Sequence, residues 1–481
     1  MTELKKRATE TEEKPKWLIT DEDGVVKGIN ALLLSKTILD KHPVIGVPFA
    51  GDIRYYQFDG ISWKNAKEKS IRTNIEKLAL KELEKYNAFN VRRMSDVSKT
   101  SLVNSIKNYN PFQKQPENVI AFKNGTYDIK NDIQRINKPH DYIVNGHNIN
   151  LEIDGQAPNI EAWGNYLFGN SWQFVKELLG YAFIPEYKTF NTIAVMVDEV
   201  GGTGKSYFFS TIVNELLGND NIVSKDMDTI AGSNGKSARF GLVGLYEKLS
   251  NIHLDLPDTR IDVPDVLRSL SGGDRIDVEG KNADSISLMF YALMIFGANQ
   301  TPNIAVNVAL SQRIKIIPVT APRVRDRPLE KAKRAEKWDE AKAIKEIGAF
   351  AYIVIQAYTK AKERGHFSIN SEVEQASKDW IERQDLVTTF LKDVVNKDDR
   401  EKGSGVTLLS TWNLFEQWLR DSGIHSKIQR KQFDEKMGKL GYVKAKKRDH
   451  KSYPNSKNPE WSWDGLDLLP YVDDWGVPEN Q

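Results

Sequence analysis

The run Glu199–Tyr207, EVGGTGKSY, has the residue types and spacing to hold a chain of phosphates. Gly201, Gly202 and Gly204 allow backbone torsions closed to other residues, so the chain can curl with its N–H groups inward. Those groups, with that of Thr203, would wrap phosphate oxygens. A helix starting at Lys205 would turn its positive end toward the same charge. Lys205 would reach the β- and γ-phosphates, and the Ser206 hydroxyl would ligate Mg²⁺. Tyr207 completes the candidate nucleotide contacts in the first helical turn. The full pattern G-x-x-x-x-G-K-[ST] asks for glycine at 199, where Glu199 instead brings a carboxylate near the phosphates.

Such a loop needs a strand and a helix to fix its two ends. Thr192–Val197 is short, apolar and rich in β-branched residues, as a buried strand is. From Lys205 a helical pattern takes over, with Phe208, Phe209, Ile212, Val213, Leu216 and Leu217 apolar and Gly218 as its stop. The plain alternative is a tight strand-to-helix turn without a ligand. A second Gly235-Lys236-Ser237 follows the polar run Ala231-Gly232-Ser233-Asn234 instead of a strand, and reads as structural or incidental.

Two further apolar strands end in residues suited to the same chemistry. Glu247–Asp255 ends in an acid, which Mg²⁺ beside a phosphate loop needs; the plain role for Asp255 is a turn or helix cap before Pro257. Position 256 is Leu256, so Asp258 is the nearest acid that could orient water. Phe290–Phe296 runs into Gly297-Ala298-Asn299. Asn299 could sense the γ-phosphate or position the attacking water, or simply form the turn before Pro302. Leu310–Pro318 reads as a third strand with Arg313 at its entrance, there to reach a phosphate across a subunit boundary or to make a surface ion pair. Between the first two strands, Ser271–Asn282 reads as a projecting hairpin with Gly280 at its tip. Lys281 and Asn282 would there track the backbone of single-stranded DNA, unless they are only solvated.

Composition bounds the rest. A chain of 481 residues suggests about three domains. The net charge is +2, so nucleic-acid binding must come from local patches. The absence of cysteine excludes disulfides, thiolate zinc sites and a cysteine nucleophile, and fits a reducing cytoplasm. No apolar run is long enough for a membrane span, so a soluble, cytoplasmic chain is expected.

Residues 1–15 are charged and expected to be a disordered tail. Residues 16–114 read as a small mixed module. It has helices over Ile29–His42, Ser70–Tyr86 and Arg92–Tyr109, and a hairpin, Tyr55–Trp63, turning at Asp59-Gly60. Its aromatic and basic residues suit packing better than nucleic-acid binding. Residues 115–165 hold a second hairpin, NVIAFKNGTYDI, with Asn124-Gly125 as a type I′ turn. The domain of the phosphate loop is expected over 166–370, entered by one amphipathic helix, Trp163–Tyr181. It would carry a charged helical stretch, Arg325–Lys345, and an apolar helix, Ile347–Ala361, able to close as a lid. Residues 371–396 read as linker with a short helix from Leu386. Residues 397–481 are compact and basic: a helix over Val406–Asp421, a second over Lys427–Leu440 capped by Ser426, and two strands. Arg430 and Lys431 of the second helix would enter the major groove, while Lys446, Lys447 and Arg448 of the wing would touch phosphate. The plain reading there is a solvated charged face.

The order of these motifs resembles the superfamily 3 helicases, in particular the primase-helicase family of phages and plasmids. Within it, the chain is most similar to the replication initiator-helicases (Rep) of phage-inducible chromosomal islands. EVGGTGKS, NIHLDLPD, SLSGGDRIDVEGKN, and FGANQTPNI with SQRIKIIP carry the likeness. NVIAFKNGTYDI resembles the segment before that family's motor. The resemblance implies an α/β chain, with an AAA+-like P-loop motor, a small mixed N-terminal module and a C-terminal winged-helix domain. It implies a homo-hexameric ring that hydrolyses ATP with Mg²⁺ and moves 3′-to-5′. Single- and double-stranded DNA including an origin, and host replisome or primase proteins, are its implied partners. Carried over, Lys205 and Ser206 hold ATP and metal, Asp255 is the second acidic motif and Asn299 the sensor. Arg313 matches the arginine finger and Lys281 the central-channel hairpin lysine. The family's primase module would need more chain ahead of the motor, so priming is not expected. Two other classes fit a phosphate loop. One is an ATP-switched DNA-binding regulator that does not translocate. The other is a small-molecule kinase, which leaves the Lys281 hairpin and the basic C-terminus unexplained.

Overall fold

The computed structural model describes residues 14–186, 189–231, 242–256, 264–279, 285–302, 304, 308–384, 386–394, 406–421, 428–447, 459–464 and 466. At its centre lies a sheet of five parallel strands: β1 (Ile193–Val197), β2 (Ile222–Val223), β3 (Ser250–His253), β4 (Leu293–Ala298) and β5 (Ile314–Pro318). Their spatial order is β2-β3-β4-β1-β5, an arrangement consistent with an AAA+-like fold. Strands buried on both faces carry apolar residues without alternation, which is why β1 and β4 are legible as continuous apolar runs. Successive residues still point to opposite faces. Ala194, Met196, Ile252, Ile295 and Ile317 join one core, while Ile193, Val195, Val197, Phe296 and Ile316 join the other.

The first core is covered by helices Pro158–Phe168, Trp172–Tyr181 and Ile347–Arg364, and by the helix that follows β1. The expected single helix Trp163–Tyr181 is broken at Gly169–Ser171. The break folds Trp172 back onto Gly164, where a Cβ would lie 2.2 Å from the indole. The helix Ile347–Arg364 is a pillar of this core and not a lid. Phe350 stacks on Trp172 at 5.8 Å, and a Cβ at Gly180 would meet the Val354 carbonyl at 1.9 Å. A helix apolar on most sides is a buried helix.

The second core is covered by helices Pro264–Gly272, Val308–Ser311 and Ser371–Gln384. Leu310 and Ser311 are therefore helical, and the strand begins at Ile314. Ser371–Gln384 docks on β5: the Ile316 N–H donates to Ser377 Oγ, and the indole of buried Trp380 donates to the Pro302 carbonyl. The charged stretch 325–345 forms two helices, Pro328–Ala335 and Glu340–Lys345, with Asp339 capping the second.

Ahead of the central sheet in the chain, a three-stranded meander, Val44–Phe49, Asp52–Phe58 and Trp63–Ala66, packs under helices Ala31–Lys41, Glu68–Lys85 and Val91–Ser105. The Asp59-Gly60 turn forms as read: Gly60 has φ 97°, and Asp59 Oδ1 accepts from the Ile61 and Ser62 N–H groups. In the next hairpin the turn is Lys123-Asn124, because Gly125 pairs with Phe122. Neither turn residue has positive φ, so it is not type I′. Gly125 is needed for close approach instead, since a Cβ there would lie 2.5 Å from the Arg135 carbonyl.

The meander is bolted to the domain of the five-stranded sheet. Arg54 Nη2 lies 2.8 Å from Glu247 Oε2, and the Tyr56 hydroxyl donates to Glu247 Oε1. The guanidinium also faces the rings of Phe49, Tyr56 and Tyr246. Asn145 Nδ2 donates to the Glu247 carbonyl.

At the C-terminal end, helices Leu386–Val394, Leu408–Asp421 and Arg430–Lys439 enclose Phe390, Phe415 and Phe433. They pack against a small sheet ordered Val406–Thr407, Glu460–Asp464, Val443–Lys447. Ser426 lies outside the described residues. The second helix is capped by Gln429, whose side chain and that of Gln432 satisfy each other's backbone N–H. The helix ends at Lys439, and Leu440 just past it is 40% exposed. Among the described residues no helix is long and apolar enough to cross a membrane.

Candidate functional site

Loop 198–204 joins β1 to helix Lys205–Phe208, which continues through a π-helical turn, Phe209–Val213, into Asn214–Leu217. Gly201, Gly202 and Gly204 have φ of 64°, 69° and 101°, so these positions demand glycine. Position 199 does not: Glu199 is exposed and has no positive φ. The backbone at 199 therefore does not require glycine. Buried Asp198, one residue earlier, braces the curl. Its Oδ1 accepts from the Gly201 N–H at 2.9 Å, and its Oδ2 accepts from the Thr203 hydroxyl at 2.7 Å.

Lys205 is 3% exposed. Its Nζ lies 3.4 Å from the carbonyl oxygens of Met196 and Ala298, between the ends of β1 and β4. Gly297 makes the room, since a Cβ there would stand 2.9 Å from that Nζ. Burial lowers the ammonium's pKa, and the charges of Asp198 and Asp255 oppose the shift. Val197 pairs with Ala298 and His253 with Phe296, while Leu256 N–H donates to the Gly297 carbonyl. These registers bring Lys205, Asp255 and Asn299 to the carboxyl edge of three adjacent strands, where open parallel sheets bind ligands. Asp255, Asn299 and Ser206 are exposed. Tyr207 is 46% exposed, and its hydroxyl donates to Glu340. Among the described residues no three His, Asp or Glu side chains cluster as a metal cage. The donor set suits a cation such as Mg²⁺, which takes one or two protein ligands and completes its shell with phosphate and water.

Arg313 lies at the other edge. Ile193 pairs with Ile314, so the length of β1, about 15 Å at a strand's rise, separates Arg313 from the loop. Its guanidinium donates to the Arg268 carbonyl and Ser271 Oγ, at the end of helix Pro264–Gly272. Asp258, Lys281, Asn282, Arg448 and the second Gly-Lys-Ser lie outside the described residues. The strands flanking 280–284, Arg275–Glu279 and Ser285–Met289, pair antiparallel. Arg430 and Lys431 are exposed in the first turn of their helix. Exposed Lys446 lies over the Trp461 ring at 5.4 Å, and Lys447 pairs with Glu460 across the strands.

Sequence reasoning missed Asp198 and three arginines beside the loop. Arg323 Nη1 donates to the Gly201 carbonyl at 3.4 Å. Arg325 N–H donates to the Gly202 carbonyl at 3.0 Å. Arg334 Nη1 lies 2.9 Å from where a Gly204 Cβ would be. They sit more than a hundred residues downstream of the loop, and no local spacing signals them.

Two family models match the chain. "D5 N terminal like" matches residues 36–169, and a "Family of unknown function (DUF5906)" matches residues 196–313. Together they are consistent with a primase-helicase superfamily of phages and viruses. No curated protein matches at a significant level. Among solved structures, the chain is similar to the A form apo structure of the NrS-1 C terminal region, at 13% identity and a TM-score of 0.46, over 86% of this chain and 88% of that one. A second, the apo structure of the NrS-1 C terminal region (305-718), is 12% identical with the same TM-score, over 86% and 87%.

Proposed function

We propose that this chain is an ATP-dependent DNA helicase and replication initiator, of the kind found in phage-inducible chromosomal islands. It would work as a homo-hexameric ring that binds an origin and unwinds duplex DNA by moving along one strand. The observation that carries the reading is the carboxyl edge of the sheet, where the Asp198-braced glycine loop, Lys205, Asp255 and Asn299 converge. The two family matches support it.

In this reading the N–H groups of 201–206 cradle the phosphates, and Lys205 draws charge from the γ-phosphate. Ser206 and Asp255 would hold Mg²⁺, which would supply positive charge to offset that of the phosphates. Asn299 orients the attacking water, with Asp258 or another acid taking its proton. Arg313 is too far from its own loop to assist there, so it serves the nucleotide of the neighbouring subunit. Lys281 and Asn282 track a single strand. The C-terminal region works as a winged helix: Arg430 and Lys431 enter the major groove, and Lys446, Lys447 and Arg448 neutralise phosphates.

The test is DNA-stimulated ATP hydrolysis and fork unwinding by the wild type and by Lys205→Ala. Both activities should be present in the wild type, and turnover should fall about 100-fold or more in the variant. Wild-type turnover in Lys205→Ala would sink the nucleotide site. Binding of ATP and DNA without strand separation would instead mark an ATP-switched regulator.

A further inference from the structure

The segment after β5 crosses the mouth of the loop and brings arginines to it. Arg334, on helix Pro328–Ala335, reaches deepest: its Nη1 stands against Gly204, the residue just before Lys205. Its guanidinium lies over the buried Trp338 ring at 5.8 Å, which fixes its direction, and the side chain is half-buried. No carboxylate pairs with it among the described residues. The acids around it are engaged elsewhere. Glu330 pairs with Lys333, Glu340 accepts from Tyr207, Asp339 caps helix Glu340–Lys345, and Asp326 pairs with Arg323. A half-buried guanidinium held on a ring and left without an anion is an incomplete arrangement. The position it faces is the one where the loop's N–H groups would gather phosphate oxygens.

We propose that Arg334 is a second cation supplied by the same chain to the bound polyphosphate, so that a nucleoside di- or triphosphate is gripped between Lys205 and Arg334. The inference rests on the nucleotide reading of the loop. It makes helix Pro328–Ala335 part of the binding site, and it gives each nucleotide a cis arginine distinct from the trans Arg313. A planar guanidinium can meet two phosphate oxygens at once, which lysine cannot reproduce.

The experiment measures dissociation constants of ATP, ADP and AMP for the full chain, together with thermal midpoints with and without nucleotide. Arg334→Ala should weaken ATP and ADP about tenfold, as loss of one charge-assisted contact does, and leave AMP binding unchanged. Arg334→Met, which keeps a stem on Trp338, should show the same loss with an unaltered nucleotide-free midpoint. Arg334→Lys should fall between. ATP binding at wild-type strength in Arg334→Ala and Arg334→Met, beside its loss in Lys205→Ala, would overturn this inference and leave the loop assignment standing. A loss seen in Arg334→Ala but absent from Arg334→Met would also overturn it, by marking a packing role. Failure of the wild type to bind any nucleotide would overturn both.

Discussion

Asp198 Oδ2 accepts a 2.7 Å hydrogen bond from the Thr203 hydroxyl, and both residues are buried. With the bond to the Gly201 N–H, one carboxylate holds the curvature of the whole loop. Asp198→Ala leaves the buried Thr203 hydroxyl without its acceptor and the Gly201 N–H with only the backbone carbonyl of residue 198, and should cost about 1–3 kcal/mol of stability. Nucleotide affinity should fall with it, since the N–H groups lose their common direction. Thermal unfolding and titration with ATP measure the two; an unchanged midpoint together with unchanged affinity would contradict the bracing role.

Burial imposes a penalty on the Lys205 ammonium. Burial holds its folded pKa below the ordinary 10.5 of the unfolded chain, so the unfolded state binds the proton more tightly. The penalty is present in full below the lowered pKa and shrinks as pH rises from there toward 10.5. Lys205→Met should therefore raise the nucleotide-free midpoint by a few degrees at neutral pH, roughly 1 kcal/mol, while abolishing the shift that ATP induces. The gap between variant and wild type should narrow by pH 10. A widening gap would reverse the sign of this account.

Arg313→Ala should keep ATP binding and lose about 1,000-fold in hydrolysis. Each defective subunit retains what the other lacks, so mixing it with Lys205→Ala subunits should recover part of the turnover. No recovery at any ratio, with mixed rings demonstrated by mass spectrometry, would remove Arg313 from the neighbour's site.

The two proposed sets of DNA contacts should separate. Lys281→Ala should lose fork unwinding and DNA-stimulated hydrolysis while keeping selective duplex binding. Deletion of 397–481 should do the reverse. The salt dependence of duplex binding should flatten as Arg430, Lys431 and Lys446 are removed, because fewer counterions are released. A truncated chain that still selects one duplex over competitor would move sequence reading to the N-terminal module.

The strand, glycine loop and helix around Lys205 were legible because each is encoded locally: an apolar run, three glycines, a helical period. The strand order was not, since nothing in β3 or β4 states its neighbour. Glu199 looked like a defect because the brace, Asp198, falls outside the short pattern. The helix Ile347–Arg364 was misread as a lid because periodicity reports an apolar surface but not what covers it. Gly180 and Trp172 supply that answer from far upstream. The hairpin at 119–128 turned one residue early because Gly125 was recruited for a third strand's backbone and not for the turn.

The Arg54–Glu247 pair has a further consequence. Both side chains are withdrawn from water on opposite sides of one joint, and neither tolerates the other's loss; stranding such a charge costs about 3–5 kcal/mol. Trimming the chain to the sheet domain would leave Glu247 without its guanidinium partner. A chimera between relatives that splices the N-terminal module onto another sheet domain should therefore be most stable when the arginine and the glutamate come from the same parent.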